Sequence, residues 1–222
     1  MRPQTKDHAT AGRLHVVILC HPAPDSFNAA IAQAYCDTVR SFDHRAEIRD
    51  LYRLKFDPVM KADEQPSSRP FVPSPDVVAE LDALHDADVI VLVYPIWFGT
   101  PPAMMKGYVE RVMGAGFGHR SMRERSTGSV VAGKHLLSIT TSGNSIQWLE
   151  GEGAWLSLRN VFDIYLANAF SMASNTHLHL SSIVDNMSDR TAREELYRVT
   201  EIATATCAKL LKLPENPPAA AS

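Results

Sequence analysis

VIVLVYPIWFGTPPAMMKGYVERV, residues 89–112, decides how the rest of the chain can be arranged. Its first five residues are apolar without a break, which is typical of a strand that is buried on both faces in a parallel sheet. The run stops at Tyr94 and Pro95, because proline has no N–H group to donate to a neighbouring strand. Apolar residues recur at helical spacing from Ala103 onward, so this stretch predicts a buried strand, an aromatic loop and a returning helix.

The composition is that of one ordinary globular domain. Of the 222 residues, 45% are apolar and 21% are charged, which allows a sizeable core. The net charge of −3 argues against a nucleic-acid-binding protein, which usually carries a basic excess. Cys20, Cys36 and Cys207 form no pair with metal or redox-motif spacing, so we expect a reduced, cytoplasmic protein. No apolar run approaches the ~20 residues that span a bilayer, so we expect no membrane span.

Strand and helix patterns alternate along the chain, as in parallel βαβ units. Strands are predicted at 14–20, 45–51, 89–93, 135–140 and 176–180, and helices at 29–40, 75–84, from 103, at 153–169 and at 189–211. Five such strands predict an α/β protein, a three-layer α/β/α sandwich with a flavodoxin-like parallel sheet in the order 2-1-3-4-5. A Rossmann fold would need G-x-G-x-x-G after the first strand, and HPAPDSFN at 21–28 contains no glycine.

The domain is predicted to cover residues 14–212. Residues 1–13 precede the first strand and are expected to form a loose arm, and residues 213–222 are expected to form a disordered tail. Residues 55–75 are rich in proline and polar side chains, and they predict a long surface loop of the kind that is often functional. Residues 114–133 predict a second long loop with many glycines and charges.

Three loops follow predicted strands, and the carboxyl ends of parallel strands meet at one edge of the sheet. The loop at 21–28 leads into a helix, whose N–H groups either bind an anion or are capped by Ser26 or Asn28. Trp97 and Phe98 form either hydrophobic cover for the sheet or a wall for a flat ligand. The polar segment 140–144 is either an ordinary turn or a partner for the polar end of a planar ring. Together the loops predict a site for a phosphorylated planar cofactor, and flavin fits that description.

These motifs resemble those of the flavodoxin-fold NAD(P)H:quinone oxidoreductases. The resemblance covers roughly residues 14–143 and is specific because the motifs occur together. It rests on His21-Pro22 with Ser26-Phe27-Asn28, Leu51-Tyr52 with Phe56-Asp57-Pro58, Tyr94-Pro95-Ile96-Trp97-Phe98, Pro102-Ala103-Met104-Met105-Lys106-Gly107 with Glu110-Arg111-Val112, Gly116-Phe117, and Thr140-Thr141.

The resemblance implies a flavin, and we favour FMN, with FAD as the alternative, because the matched motifs serve the flavin and its first phosphate. It implies hydride transfer from NAD(P)H, two-electron reduction of a quinone, and a homodimer with each active site at the subunit interface. The cofactor-binding residues that it implies are His21, Ser26, Phe27, Asn28, Pro95, Ile96, Trp97, Phe98, Thr140, Thr141 and Gly143.

The chain departs from this family beyond the fourth strand. The family's tyrosine and histidine that assist hydride transfer are replaced by Trp148 and Ala154. Trp148 therefore occupies a catalytic position, and His119, where the resemblance places a tyrosine that reaches the quinone, is the second catalytic candidate. A histidine there can donate a hydrogen bond and a proton near neutral pH, unless it is a solvent-facing loop residue.

Two other functions stay open at this point: a flavodoxin-like electron carrier and a flavoprotein regulatory subunit of a transporter. Such carriers are strongly acidic, whereas this chain has a net charge of only −3. No feature of the sequence marks a docking face for a transporter. His177 and His179 alternate along the last predicted strand without a third ligand at suitable spacing, so we expect no metal.

Overall fold

A computed structural model describes residues 12–124 and 126–211, except the side chain of His119. The strands are β1 (Leu14–Leu19), β2 (Arg45–Asp50), β3 (Val89–Pro95), β4 (His135–Thr141) and β5 (Ser174–Leu180). They form a parallel sheet in the order β2-β1-β3-β4-β5. The predicted flavodoxin-like sandwich and its strand order are confirmed, and every predicted strand agrees with the observed one to within about two residues at either end.

Helices cover both faces of the sheet. They are α1 (Phe27–Arg40), α2 (Pro75–His85), α3 (Ala103–Tyr108), α4 (His119–Arg123), α5 (Ile146–Gly151), α6 (Ala154–Leu158), α7 (Tyr165–Ala169) and α8 (Asp189–Leu211). A π-helical segment, Val109–Met113, continues α3, and a second one, Arg159–Ile164, joins α6 to α7. Within the described ranges, no helix combines the length and apolar character that crossing a bilayer requires.

The core lies in two layers because consecutive strand residues face opposite sides of the sheet. Ile90 and Leu92 belong to the layer that packs against α2 and α3. Val91 and Val93 belong to the layer that packs against α1 and α8. The unbroken apolar run of β3 is thus buried on both faces, as the sequence predicts.

The helix predicted at 153–169 is confirmed as the continuous run of α6, the second π-helical segment and α7, but the sequence interpretation missed the helix before it. A separate helix, α5, precedes it, and Gly153 divides α5 from α6 with a left-handed φ of 69°. Glycine adopts this conformation without the steric cost that a Cβ brings, and it commonly ends helices. The loop predicted at 114–133 likewise contains α4.

A buried ion pair anchors the long loop 55–75 to the body of the domain. Arg111 lies in the π-helical segment that continues α3. Its guanidinium donates to both carboxylate oxygens of Glu64 over 2.6 and 2.7 Å. It also donates to Asp76 in α2 over 2.7 Å. Arg111 holds the pKa of Glu64 far below its usual range. This loop is therefore tied down in its middle, around a short 3₁₀ turn at Ala62–Glu64.

The described part of the chain starts just before β1 and stops at the last residue of α8. Arg13 pairs with Asp88 over 3.0 Å, so the last residue of the predicted arm is held against the domain. The rest of the predicted arm, apart from Gly12, and the predicted tail lie outside the described residues.

Candidate active site

A cavity of about 550 Å³ lies at the carboxyl edge of the sheet, among the loops that follow β1, β3, β4 and β5. It brings the three predicted loops together. Nine of the sequence-predicted cofactor-binding residues line it, namely His21, Ser26, Phe27, Asn28, Pro95, Ile96, Trp97, Thr141 and Gly143. Such a volume suits a small organic ligand or cofactor.

The N-terminus of α1 forms one end of this cavity. Ser26 is the N-cap, and its Oγ accepts a hydrogen bond from the backbone N–H of Ala29 over 3.2 Å. The N–H groups of Phe27 and Asn28 belong to the first helical turn, which has no acceptor within the helix. Capping by Ser26 is therefore observed, and the helix dipole still favours an anion beside these groups.

Asn28 connects the first loop to the third. Its side-chain Nδ2 donates to Thr141 Oγ1 over 3.0 Å, and both residues are buried at the cavity. Asn28 therefore does not cap the helix. It holds the start of α1 against the end of β4, and so fixes the width of the cavity at this point.

His21 begins the first loop, and its ring lies near the second loop. Its Nδ1 accepts a hydrogen bond from the backbone N–H of Ala23 over 3.1 Å, so the neutral ring carries its proton on Nε2. The centroid of its ring lies 6.2 Å from that of Trp97. His21 thus contributes one N–H donor beside the aromatic wall.

A tight turn presents the two aromatic residues of the second loop. Trp97 and Thr100 exchange two backbone hydrogen bonds of 3.0 and 3.1 Å. Phe98 and Gly99 between them have positive φ angles of 51° and 76°, as in a type I′ turn. Trp97 lines the cavity, whereas Phe98 does not, and its side chain is fully exposed at 105% relative accessibility.

Comparison with known proteins agrees with this architecture. Residues 14–199 match the protein family described as having a flavodoxin-like fold. The chain belongs to this flavodoxin-like family.

This chain is similar to curated proteins and to solved structures that are named as NAD(P)H oxidoreductases. An uncharacterized NAD(P)H oxidoreductase of Haemophilus influenzae is 27% identical, over 89% of this chain and 98% of its own. The NAD(P)H dehydrogenase [quinone] 1 of Rattus norvegicus is 32% identical over 64% of this chain, which spans 60% of the rat protein. An NAD(P)H:quinone oxidoreductase structure from Methanothermobacter marburgensis has a TM-score of 0.74 and 21% identity, covering 93% of this chain and 100% of that one. The resemblance drawn from the sequence motifs is confirmed.

Three sequence-predicted residues of this flavodoxin-like site are not brought to the cavity. Thr140 faces the opposite side of β4 from Thr141, because neighbouring strand residues alternate, and its hydroxyl is bonded to His177 and His179. Phe98 is the second, as described above. Trp148 lies on α5 with its side chain half exposed, and it is not a lining residue.

Two further positions that the sequence analysis singled out are His119 and Ala154. The side chain of His119 lies outside the described residues, so its catalytic role stays a prediction. Ala154, at the position of the family's histidine, lies beside the aromatic turn: a Cβ built on Gly99 would be 3.6 Å from that of Ala154. The position is thus near the site, but this chain places only a methyl group there.

The loop after β5 forms a fourth wall that sequence reasoning missed. Its contributors are Ile183, Val184, Asp185 and Met187. The signal was available, because the carboxyl end of the last strand lies at the same edge as the others. Among the described residues that line the cavity, none is a lysine or arginine, so any anion there must be held by N–H groups and hydroxyls.

A second cavity, of about 580 Å³, lies on the other side of Ser26. It shares Asp25 and Ser26 with the first cavity and continues past Ile48 to Arg53. The described residues that line it include no aromatic ring, so it offers no wall for a flat ligand. We therefore assign the site to the cavity that contains Trp97.

Among the residues that the structure describes, no group of three possible metal ligands includes His177 or His179. Elsewhere among the described residues, His15, His44 and Cys207 bring ligand atoms within 4.8 Å of one another. Both ring nitrogens of His15 are already hydrogen-bonded, to Tyr35 over 2.9 Å and to His44 over 3.2 Å. We assign no metal to these residues.

Proposed function

We propose that this protein is a flavin-dependent NAD(P)H:quinone oxidoreductase. The observation that carries the proposal is the single cavity in which a helix N-terminus, Trp97 and the polar turn after β4 meet. These are the groups that a phosphate, a flat ring and the polar edge of that ring require. The names of the relatives support the class of reaction.

The residues present fit a flavin mononucleotide. The N–H groups of Phe27 and Asn28 and the capped start of α1 would hold the phosphate, because the dipole of a 14-residue helix favours negative charge there. Trp97 would face the ring, and Thr141 and Gly143 would lie at its pyrimidine side. We favour FMN over FAD because the lining offers one such phosphate site and the sequence motifs serve only that part.

A bound flavin would accept a hydride from NAD(P)H and pass two electrons to a quinone. The chain's own residues then have three tasks. The Asn28–Thr141 hydrogen bond keeps the two sides of the cavity at a fixed separation. His21 offers an N–H donor at the rim. Ile183 and Met187, in the loop after β5, line the cavity and would keep water from a bound flavin.

A homodimer would complete the site from outside. Val161, Ile164 and Tyr165 are exposed at helical spacing around α7, and Leu156 and Trp148 are exposed on the neighbouring helices. Phe98 is exposed in the turn with Gly99, which lies beside Ala154 of α6. Large apolar side chains grouped beside a ligand cavity mark an interaction surface, and a second copy of this chain fits the proposal.

Cofactor uptake tests the proposal directly. We expect the purified protein to be yellow, or to bind added FMN, with release of intact FMN that mass spectrometry identifies. Ser26→Ala removes the cap and should weaken FMN binding more than riboflavin binding, because riboflavin lacks the phosphate. A colourless protein that takes up neither FMN nor FAD would refute the whole assignment.

Turnover separates an enzyme from an electron carrier. With a bound flavin, we expect NAD(P)H to be oxidised when benzoquinone is added, with one quinone reduced for each NAD(P)H. A flavin-loaded protein that neither NADH nor NADPH reduces would instead be an electron carrier or a regulatory subunit.

A further inference from the structure

A chain of hydrogen-bonded side chains runs from a buried carboxylate to the cavity. Asp163 Oδ2 lies 2.5 Å from His177 Nδ1, and His177 Nε2 lies 2.7 Å from Thr140 Oγ1. Thr140 Oγ1 lies 2.9 Å from His179 Nδ1, and His179 Nε2 lies 3.1 Å from Ser142 Oγ. Ser142 lines the cavity, so the chain of bonds opens there.

The group at the cavity end fixes which atom donates in each bond. Asn144 offers Ser142 a carbonyl oxygen at 2.8 Å, so the Ser142 hydroxyl donates to it and accepts from His179 Nε2. His179 is neutral near pH 7 because burial lowers its pKa to about 4. Its Nδ1 therefore accepts from the Thr140 hydroxyl, whose oxygen in turn accepts from His177 Nε2. Every donor before Ser142 thus points towards Ser142, whose own proton lies on the carbonyl oxygen of Asn144.

One further proton is held at the buried end. His177 already donates through Nε2, so the 2.5 Å contact between its Nδ1 and Asp163 must contain another proton, carried by either atom. Ser138 donates to the second oxygen of Asp163 over 2.8 Å, which orients the carboxylate. The pair therefore holds one proton more than an ionised carboxylate beside a neutral imidazole.

This arrangement is shielded from solvent. Asp163 is completely buried, and it lies in the π-helical segment between α6 and α7. The ring of Trp155 covers both histidines, with centroids 4.8 Å from His177 and 5.0 Å from His179. A buried carboxylate is costly unless it is paired and hydrogen-bonded, and apolar residues often stabilise such a position better. The free-energy cost of burying Asp163 suggests that this carboxylate has a function.

Three other polar groups face the chain of bonds. Arg159 Nε lies 3.7 Å from Asp163, and Arg198 donates to the backbone carbonyl of His179 over 3.2 Å. The hydroxyl of Tyr94 is buried, and burial together with the charge of Asp163 raises its pKa well above 10. Tyr94 therefore stays neutral across the pH range in which enzymes are assayed, and it does not compete for the proton.

We infer that these side chains form a one-proton relay, in which Asp163 and His177 store a proton and Ser142 delivers it into the cavity. The inference rests on the proposed function, since a ligand that gains electrons there needs a proton. It also accounts for Trp148 and Ala154 at the positions of the family's polar pair, because β5 supplies imidazoles from the other side.

The transfer changes only O–H and N–H bonds. Ser142 turns its hydroxyl from the carbonyl oxygen of Asn144 to an acceptor atom in the cavity, gives that atom its proton and takes the Nε2 proton of His179. His179 Nδ1 takes the proton of Thr140, and Thr140 takes the Nε2 proton of His177. His177 is left neutral with a proton on Nδ1, beside ionised Asp163. One proton has left the protein, and water in the emptied cavity returns one. Ser142 alone touches the acceptor, so the other members are positioning residues.

The tautomers of the histidines give a test that does not depend on activity. In ¹⁵N NMR spectra of the purified protein, His179 should carry its proton on Nε2 near pH 7. A downfield proton signal from the short Asp163–His177 bond should be present in the parent protein and absent from Asp163→Asn. A proton on Nδ1 of His179 would overturn the relay, because the donors would then not point towards the cavity.

The second test cuts the relay at Thr140, which does not line the cavity. In the flavin-loaded protein, Thr140→Val should slow quinone reduction roughly tenfold or more at pH 8, the low end of general acid contributions. The rate of the variant should then rise as pH falls, because its protons must come from bulk water. The rate of the parent protein should not change with pH. Thr140→Ser should restore both rate and profile. Ser174→Ala, which removes a β5 hydroxyl that bonds to His135 at the other end of the sheet and outside the route, should match the parent.

The outcomes separate the two proposals. If the parent protein turns over and Thr140→Val has the parent's rate and pH profile, the relay is overturned and the proposed function stands. If Thr140→Ser is as slow as Thr140→Val, the hydroxyl is not what matters, and the relay is again overturned. Failure of the parent to bind flavin refutes the proposed function itself, and the tautomer measurement then still decides the direction of the bonds.

Discussion

The side chains of Asn28 and Thr141 are joined by a 3.0 Å hydrogen bond that closes the flavin-sized cavity between α1 and β4. Asn28→Ala would leave the buried hydroxyl of Thr141 without this partner. We expect the free energy of unfolding to fall by about 1–3 kcal/mol and FMN to bind more weakly, because the cavity loses its fixed width. Urea unfolding and titration of FMN by fluorescence quenching measure the two effects.

A matched control lies on the same helix. Gln33 is exposed and bonded to Asp37, and it does not line this cavity, so Gln33→Ala should change neither quantity much. If Asn28→Ala lowers stability but leaves FMN affinity unchanged, Asn28 only ties two elements together and has no part in the site.

Glu64 is expected to dominate the stability of the long loop. Glu64→Gln leaves the guanidinium of Arg111, which is completely buried, with Asp76 as its remaining carboxylate partner. Breaking a buried pair on one side is strongly destabilising, and we expect a loss of about 3 kcal/mol. Glu110→Gln, which breaks an exposed pair with Lys106, should cost less than about 1 kcal/mol in the same unfolding experiment.

The same pair should contribute to acid unfolding. The pKa of Glu64 is lowered in the folded protein, chiefly by its bonds to Arg111, so its contribution to stability is fully present above its unfolded pKa. That contribution is lost as pH falls below about 4.5. Glu64→Gln should therefore lose less stability than the parent between neutral and acidic pH. Parallel curves for the two proteins would show that Glu64 is not linked to protons in this way.

Because of His15, the free energy of unfolding should fall as the pH is lowered from 7 to 5. Its pKa is lowered to about 3, first by burial and then by repulsion from His44 and His135. An unfolded histidine binds a proton near pH 6.5 and folded His15 does not, so stability is full above that pH and falls below it. The loss from His15 alone is roughly 2 kcal/mol at pH 5.

Substitution of His15 tests whether this histidine, rather than another, causes the loss of stability. His15→Gln should show a shallower loss of unfolding free energy between pH 7 and pH 5, by about one proton fewer taken up on unfolding. His85, which is exposed, is the control, and His85→Gln should keep the parent's slope. Equal slopes for His15→Gln and the parent would contradict the lowered pKa.

The sequence predicts the sheet and most of the cavity because both follow from short segments. An unbroken apolar run identifies β3, and parallel strands place their following loops at one edge. The pairing of Asp163 with His177 could not be found in this way, since it depends on how a π-helical segment packs against β5. The separate placement of Thr140 and Thr141 could have been found, because adjacent strand residues face opposite sides.

The loop residues were harder to place for a physical reason. A loop sequence does not show which side of a turn its rings face, and Phe98 leaves the cavity because it occupies a left-handed position of a tight turn. The helix α5 was missed, although Gly153 carries a local signal for a helix end just before the helix predicted at 153–169.

Phe98 should be a central contact of the proposed dimer. A bulky residue at a φ of 51° costs about 1–3 kcal/mol in backbone strain, and in a single chain its fully exposed ring recovers none of that cost. Burial of the ring against a second copy would offset the strain. Since aromatic side chains dominate such interfaces, Phe98→Ser should weaken dimerisation by about 2 kcal/mol, roughly 30-fold in the dissociation constant.

Sedimentation velocity over a dilution series measures this constant. Tyr197 is a control, because it is also aromatic and exposed but lies on α8 rather than in the aromatic turn, so Tyr197→Ser should dissociate like the parent. Circular dichroism should show the same thermal transition for the Phe98→Ser monomer as for a diluted parent monomer, since the ring makes little contact within one chain. A parent protein that is monomeric at every concentration would refute the dimer, and a dimer unaffected by Phe98→Ser would place the interface elsewhere on the surface.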